Sequence, residues 1–184
     1  MTESDMPPSS EPVAPPQPFR WPKSVSEAKL ELIRIRLESL FCAVKQSNAE
    51  ASPPKKIVEP ICHGELVEGS MAGEGFRATV SWSLDADDIT ITGSYVLTFS
   101  IGALPFDEYD AKYYSQTNSV ILAYPYIRQI IDDLSVKCLG RNLIVRTLDV
   151  PKFVQERMKA LMESNKQQEP SSQAPANGNG DEGT

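Results

Sequence analysis

Histidine, cysteine and basic residues are all in short supply in this chain, and each shortage removes a class of function. His63 is the one histidine. No His-based metal site is therefore possible, and any Ser–His or Cys–His catalytic pair would have to run through that residue. Its neighbour Cys62 points to the opposite face if the two lie on a strand, so they cannot pair as base and nucleophile. The three cysteines, Cys42, Cys62 and Cys138, are odd in number and widely spaced, with no CxxC pair. That spacing speaks against a disulfide framework or a zinc knuckle and fits buried thiols in a reducing cytoplasm. Lys and Arg total 18 against 25 Asp and Glu, a net charge of -7. Nucleic acid is thereby disfavoured, because phosphate binding leans on clustered cations, and Lys55-Lys56 alone is no patch. No run approaches the ~18 apolar residues needed to span a bilayer, so no membrane insertion is expected. The start lacks a basic stretch followed by an apolar run, so no secretory signal is expected. The glycine-rich segment Gly69-Ser-Met-Ala-Gly-Glu-Gly lacks the lysine of a phosphate-binding loop. Asp132 and Asp133 are helical neighbours that do not face each other. No active site, metal site or cofactor site emerges.

What is present is strongest between Phe76 and Ile101. Phe76, Ala78, Val80, Trp82 and Leu84 alternate with Arg77, Thr79, Ser81 and Ser83. After Asp85-Ala86-Asp87-Asp88 the alternation resumes with Ile89, Ile91, Tyr95, Leu97, Phe99 and Ile101 against Thr90, Thr92, Ser94, Thr98 and Ser100. A period of two means strands, and the acidic turn makes them an antiparallel hairpin with one apolar and one polar face. Gly93 within the second strand predicts a bulge or a close approach by another group. Upstream, Ile33, Ile35 and Leu37 alternate, and the parity then flips to Leu40, Cys42 and Val44. One extra residue near Ser39, a β-bulge, would keep a single face buried across that flip. A weaker strand runs from Ile57 to Glu68, interrupted by Pro60 and Gly64, and Pro60 favours an edge or a bulge there.

The second half turns helical. A short helix with acids in its first turn is predicted over Asp107–Ser115. From Ser119 the spacing of Val120, Ala123, Ile127, Leu134 and Cys138 predicts a long helix that Gly140 ends, with Pro125 inside it. Leu143–Val145 is briefly extended. Asp149 then caps a last helix carrying Val150, Val154, Met158, Leu161 and Met162 on one face. A short helix near Ser24 and a polar loop from Asn48 to Pro54 are also expected. The fold class is α+β: a four-stranded antiparallel sheet with two C-terminal helices packed on one face. Residues 1–22 (Pro/Ser-rich) and 165–184 (polar) read as disordered tails flanking a domain over 23–164, because neither tail carries enough apolar surface to offset ordering.

The segment Leu122-Ala-Tyr-Pro-Tyr-Ile-Arg-Gln-Ile-Ile-Asp-Asp-Leu-Ser, early in a long helix that follows such a sheet, resembles the SecB family of protein-export chaperones. Tyr124-Pro125-Tyr126-Ile127-Arg128 is the most specific part of the likeness, which covers about residues 30 to 162. The resemblance implies a homotetramer, a dimer of dimers, that binds unfolded or precursor polypeptides without ATP and passes them to the SecA motor. The acids expected on the first strand fall at Ser39 and near Ala43, whereas the acidic turn matches with Asp85, Asp87 and Asp88. The wording of the tyrosine motif is similar to that of a divergent branch that includes chaperones devoted to one antitoxin.

Two sets of site residues follow. Tyr124, Tyr126, Phe153, Val154, Met158, Leu161 and Met162 are expected to line a peptide groove, since tyrosine offers large area at low entropic cost and methionine adapts its shape. Asp85, Asp87 and Asp88 are expected to form an electrostatic docking edge for a basic partner. The functional expectation is a cytoplasmic, non-enzymatic holdase, dimeric or tetrameric, keeping clients competent for export. The alternatives are a chaperone devoted to one client such as an antitoxin, and a small-ligand-binding or enzymatic α+β domain.

Overall fold

The structure is a computed structural model that describes residues 22, 28–45, 57–71, 74–102 and 105–167. The expected helix near Ser24, the loop from Asn48 to Pro54 and nearly all of both tails lie outside the described residues. The central hairpin forms as its alternation dictates. β4 (Gly75–Asp85) pairs antiparallel with β5 (Ile89–Ile101), placing Phe76 opposite Phe99 and Leu84 opposite Ile91. Phe76, Ala78, Val80, Trp82 and Leu84 are buried, and so are Ile89, Ile91, Tyr95, Leu97, Phe99 and Ile101. Gly93 answers to the close approach: a Cβ there would sit 2.8 Å from Trp82 Cζ2 and 2.9 Å from the Ser39 carbonyl oxygen. The Trp82 indole thus occupies the space that a side chain at Gly93 would need.

β1 (Leu30–Val44) pairs antiparallel with β5 along its whole length. Its register shifts twice, between Leu37 and Ser39 and between Leu32 and Arg34. The first is the expected bulge. The second was equally written in the sequence, as a parity change from Leu30 and Leu32 to Ile35. Together the two bulges put Leu30, Leu32, Ile35, Leu37, Leu40, Cys42 and Val44 opposite the inward-facing residues of β5.

The expected strand over Ile57–Glu68 is divided in two. Pro60 donates no hydrogen bond, and the chain leaves the sheet around it. β3 (Ile61–Leu66) pairs antiparallel with β4, giving the order β1-β5-β4-β3, while β2 (Ile57–Val58) forms a separate parallel ladder with β6 (Ile144–Val145).

Among the described residues three helices follow the sheet. α1 (Glu108–Gln116) opens on a capping box in which the Asp107 carboxylate accepts from the Asp110 backbone N–H at 3.1 Å. It packs so tightly on β3 that a Cβ on Gly64 would fall 1.9 Å from the Ser115 carbonyl oxygen. α2 (Asn118–Leu139) lays Val120, Ala123, Tyr124, Ile127 and Ile131 on the apolar sheet face and ends at Gly140 in the left-handed conformation, φ 67°. Pro125 lies on its exposed side, in the helix interior. Buried Ser135 ties its end to the next segment: its hydroxyl accepts from the Leu143 N–H at 3.1 Å and donates to the Asp132 carbonyl at 2.8 Å.

α3 (Val150–Gln167) begins where Asp149 caps it, accepting from the Lys152 N–H at 3.1 Å, and runs slightly past the expected boundary at 164. It differs from the expectation in its packing. α1 and α2 rest on the sheet, but α3 meets the body through Phe153, half-buried against the core, and Arg157, which donates to the Cys62 carbonyl at 3.3 Å. The core thus lies between the sheet and α2, with α1 closing one end.

Candidate functional site

α2 runs alongside β1 in the same direction. Its start meets Leu30 and Leu32, its middle places Tyr126 against Tyr95 with ring centroids 6.3 Å apart, and its last turn puts Cys138 Sγ 3.8 Å from Cys42 Sγ. The helix is too narrow to cover the sheet edge as well as its centre. Leu32, Leu37, Leu40 and Val44 of β1 therefore stay exposed on the helix-facing side, beside Leu122 and Tyr126 of α2. Between the start of the strand and the helix lies an apolar groove of about 330 Å³ lined by Leu30, Leu32, Phe99, Tyr114, Ile121 and Leu122, with Asn118 at its end. Phe99 and Tyr114 are buried and form its floor; Leu32 and Leu122 are exposed and form its rims. The floor is stiff, because Tyr114 stacks on Phe106 at 5.6 Å, Phe106 on Phe76 at 5.6 Å and Phe76 on Phe99 at 4.9 Å. A preformed apolar trough with rigid aromatic walls and no charged side chain among its lining residues can bury aliphatic or aromatic groups of another chain.

The tyrosine motif is split by the helix. Tyr126 is 45 % exposed and faces the β1 side. Tyr124 is 6 % exposed and donates its hydroxyl to the Arg146 carbonyl at 2.5 Å, so it ties α2 to the segment after β6 and offers little surface. Burial pushes its phenol pKa up, which keeps it a donor. Pro125 and Arg128 line a different depression of about 410 Å³, shared with Gln129, Asp132 and the segment 142–145. Phe153 borders a third, of about 240 Å³, where Arg146 Nη1 meets Glu59 Oε2 at 3.1 Å, and the Arg157 guanidinium lies 5.2 Å from the Phe153 ring centre. Val154, Met158 and Met162 are half-buried on α3; the side chain of Leu161 lies outside the described residues. The expected set is therefore distributed: Tyr126 beside β1, Tyr124 in the core, and Phe153 with the α3 residues on another side of α2.

Leu30, Leu32, Phe99, Ile121 and Leu122 were missed by sequence reasoning. A signal for the rim existed. Leu122, Tyr126 and Ile130 form an i, i+4 stripe beside the buried stripe of Val120, Ala123, Ile127 and Ile131, and a second apolar stripe needs a second partner.

The acidic turn is largely engaged within the chain. Asp85 Oδ1 accepts from Lys45 Nζ and from Thr90 Oγ1, both at 2.6 Å, and these contacts hold its carboxyl below the ordinary value. Asp88 pairs with Arg141. His63 bonds Glu65 at 2.9 Å on the exposed edge of β3. Among the described residues no group of three or more His, Cys, Asp and Glu could hold a metal ion, and no helix is long and apolar enough to cross a membrane.

No family model and no curated protein matches the chain. Solved structures do. The Mycobacterium tuberculosis Rv1957 SecB-like chaperone, solved in complex with a ChAD peptide from the Rv1956 HigA1 antitoxin, superposes with a TM-score of 0.54 over 68 % of this chain and 95 % of that one, at 18 % identity. The chain has a SecB-like fold. A Streptococcus agalactiae protein of unknown function aligns over 65 % of this chain and 97 % of its own at 10 % identity and a TM-score of 0.43, too distant to add to that. Within the SecB-like fold, the four-stranded antiparallel sheet and the long helix on its apolar face are the parts the sequence resemblance implied.

Proposed function

We propose that the protein is a non-enzymatic, ATP-independent polypeptide-binding chaperone whose client segment lies in the groove between β1 and α2. The observation that carries this reading is the aromatic-floored trough beside a row of exposed leucines on β1. Burying one such side chain contributes about 1.5–3 kcal/mol, so a client filling several positions along the strip reaches micromolar affinity after the cost of ordering it. The mycobacterial chaperone of the same fold is described with an antitoxin peptide, which favours a dedicated client of that kind over general service to export.

β1 is also an outer strand of 15 residues, with Ile33 61 % and Phe41 60 % exposed. Such an edge calls for cover, and a second copy of the chain is the proposed cover, giving the dimer from which a tetramer would be built. The turn Asp85–Asp88 is a subsidiary proposal for a basic partner, with binding that weakens as salt rises.

The deciding measurement is light scattering of chemically unfolded proteins, and of an unfolded antitoxin, with and without this protein. Protection of the antitoxin alone supports a dedicated chaperone; protection of several unrelated proteins supports a general one. Leu122→Asp places a charge on the groove rim and should abolish protection while leaving the circular dichroism spectrum unchanged. Failure of the wild type to protect any client, or full protection by Leu122→Asp, refutes the groove.

A further inference from the structure

Cys42 and Cys138 are 96 residues apart in sequence and 3.8 Å apart at sulfur. Neither sits in a thiol motif. The fold brings them together because β1 and α2 run side by side: Cys42 is on the helix-facing side of β1, opposite Ile91, and Cys138 is in the last turn of α2. Cys138 is exposed and Cys42 is half-buried. A disulfide needs its sulfurs about 2.05 Å apart, so the pair must close by less than 2 Å. The last turn of a helix and an edge strand can supply that movement. Cys62 lies elsewhere, its sulfur directed to the Pro60 carbonyl at 3.9 Å.

We infer that Cys42 and Cys138 form a reversible disulfide under peroxide, clamping α2 to β1 at the far end of the client groove. Exposed Cys138, as thiolate, attacks one oxygen of hydrogen peroxide. The O–O bond breaks, hydroxide leaves and takes up the thiol proton as water, and Cys138 becomes a sulfenic acid. Cys42 then attacks the Cys138 sulfur: the S–S bond forms, the S–O bond breaks and a second water departs. Two electrons pass from the two thiols to the peroxide, and a thiol reductant reverses the reaction. The assignment of roles agrees with the chemistry of the pair. Burial, with the neighbouring Cys138 thiol second, raises the Cys42 pKa, so the outer sulfur is the one that reacts first. The consequence for clients rests on the groove reading given above. A covalent tie between strand and helix stops the strip from Leu32 to Leu40 widening around a bound chain.

The full-length protein is treated with hydrogen peroxide, quenched with iodoacetamide and mapped by peptide mass spectrometry. Affinity for two fluorescent clients without free thiols, reduced and carboxymethylated lactalbumin and an unfolded, carboxymethylated antitoxin, is measured in parallel. The expected result is a Cys42–Cys138 linked peptide, lost on adding dithiothreitol and absent from Cys42→Ser and Cys138→Ser. Client affinity should fall at least about fivefold on oxidation, and in either serine variant it should not respond to peroxide. Alkylated Cys42 beside a sulfinic Cys138, or a disulfide linking two copies, overturns the pairing. A linked protein with unchanged affinity overturns the clamp. If the reduced protein binds no client at all, the groove reading fails, and the mapped linkage still decides the thiol pair on its own.

Discussion

Gly64→Ala is the perturbation whose cost the structure states most directly. Gly64 lies in β3 beneath α1, and the new Cβ would stand 1.9 Å from the Ser115 carbonyl oxygen, 3.0 Å from its carbon and 3.1 Å from Val120 Cγ2. Ordinary contact begins at 3.4 Å, so α1 or the strand must retreat by about 1.5 Å. The obstacle is helix backbone, and no rotamer relieves it. Overpacking of this kind costs about 3 kcal/mol, and the lower entropy of the unfolded chain returns about 0.5–1 kcal/mol. The net loss is about 2 kcal/mol, a large share of a typical domain's 5–15 kcal/mol. Urea unfolding followed by tryptophan fluorescence should show a midpoint about 1 M below wild type with an unchanged slope. The same retreat displaces Tyr114, the residue before Ser115, and with it the groove floor. Client affinity should therefore fall in conditions where the variant remains folded. A midpoint equal to or above that of the wild type would mean that α1 does not press on β3 and that the groove floor is not held rigid from that side.

Two smaller predictions follow from single contacts. Tyr124→Phe removes the hydroxyl bond to the Arg146 carbonyl and leaves that carbonyl without its donor, which should cost about 1–2 kcal/mol in urea unfolding; an unchanged midpoint would show that water replaces the hydroxyl freely. Burial pushes the Cys62 thiol up to about 12, so at pH 8 it should react with iodoacetamide on the order of a thousandfold more slowly than free cysteine in solution, and equal labelling rates by mass spectrometry would refute the burial.

The sheet was legible because period-two alternation reports burial directly, and the hairpin from Phe76 to Ile101 carries little that conflicts with it. The bulge near Ser39 was legible for the same reason, since a parity flip within one apolar strand keeps its face buried only if a residue is inserted there. What the sequence did not disclose depends on relations between distant segments. Nothing local says that Ile57 and Val58 leave the sheet to pair with Ile144 and Val145; Pro60 marks the break but not the destination. Tyr124 and Tyr126 look equivalent in the motif, yet a two-residue step on a helix turns a side chain by about 200°, so one is core and the other surface. The groove was sought in the tyrosines and methionines of the helices, whereas the trough proposed for clients is lined from β1, β5, α1 and α2. The meeting of Cys42 with Cys138 was hidden likewise, since wide spacing excludes a local motif but not a contact made by two elements that run in parallel.

The strand order also governs how the molecule comes into being. Among the described residues β1 is the first strand made, yet its neighbour in the sheet is β5, and its first residue, Leu30, pairs with Ile101. During synthesis this 15-residue strand, with its apolar face bare, cannot begin to dock before Ile89 has been made or finish before Ile101. Long-range pairing of this sort folds slowly and leaves sticky segments open to wrong partners. While it emerges from the ribosome, this chain is itself a candidate client for a chaperone.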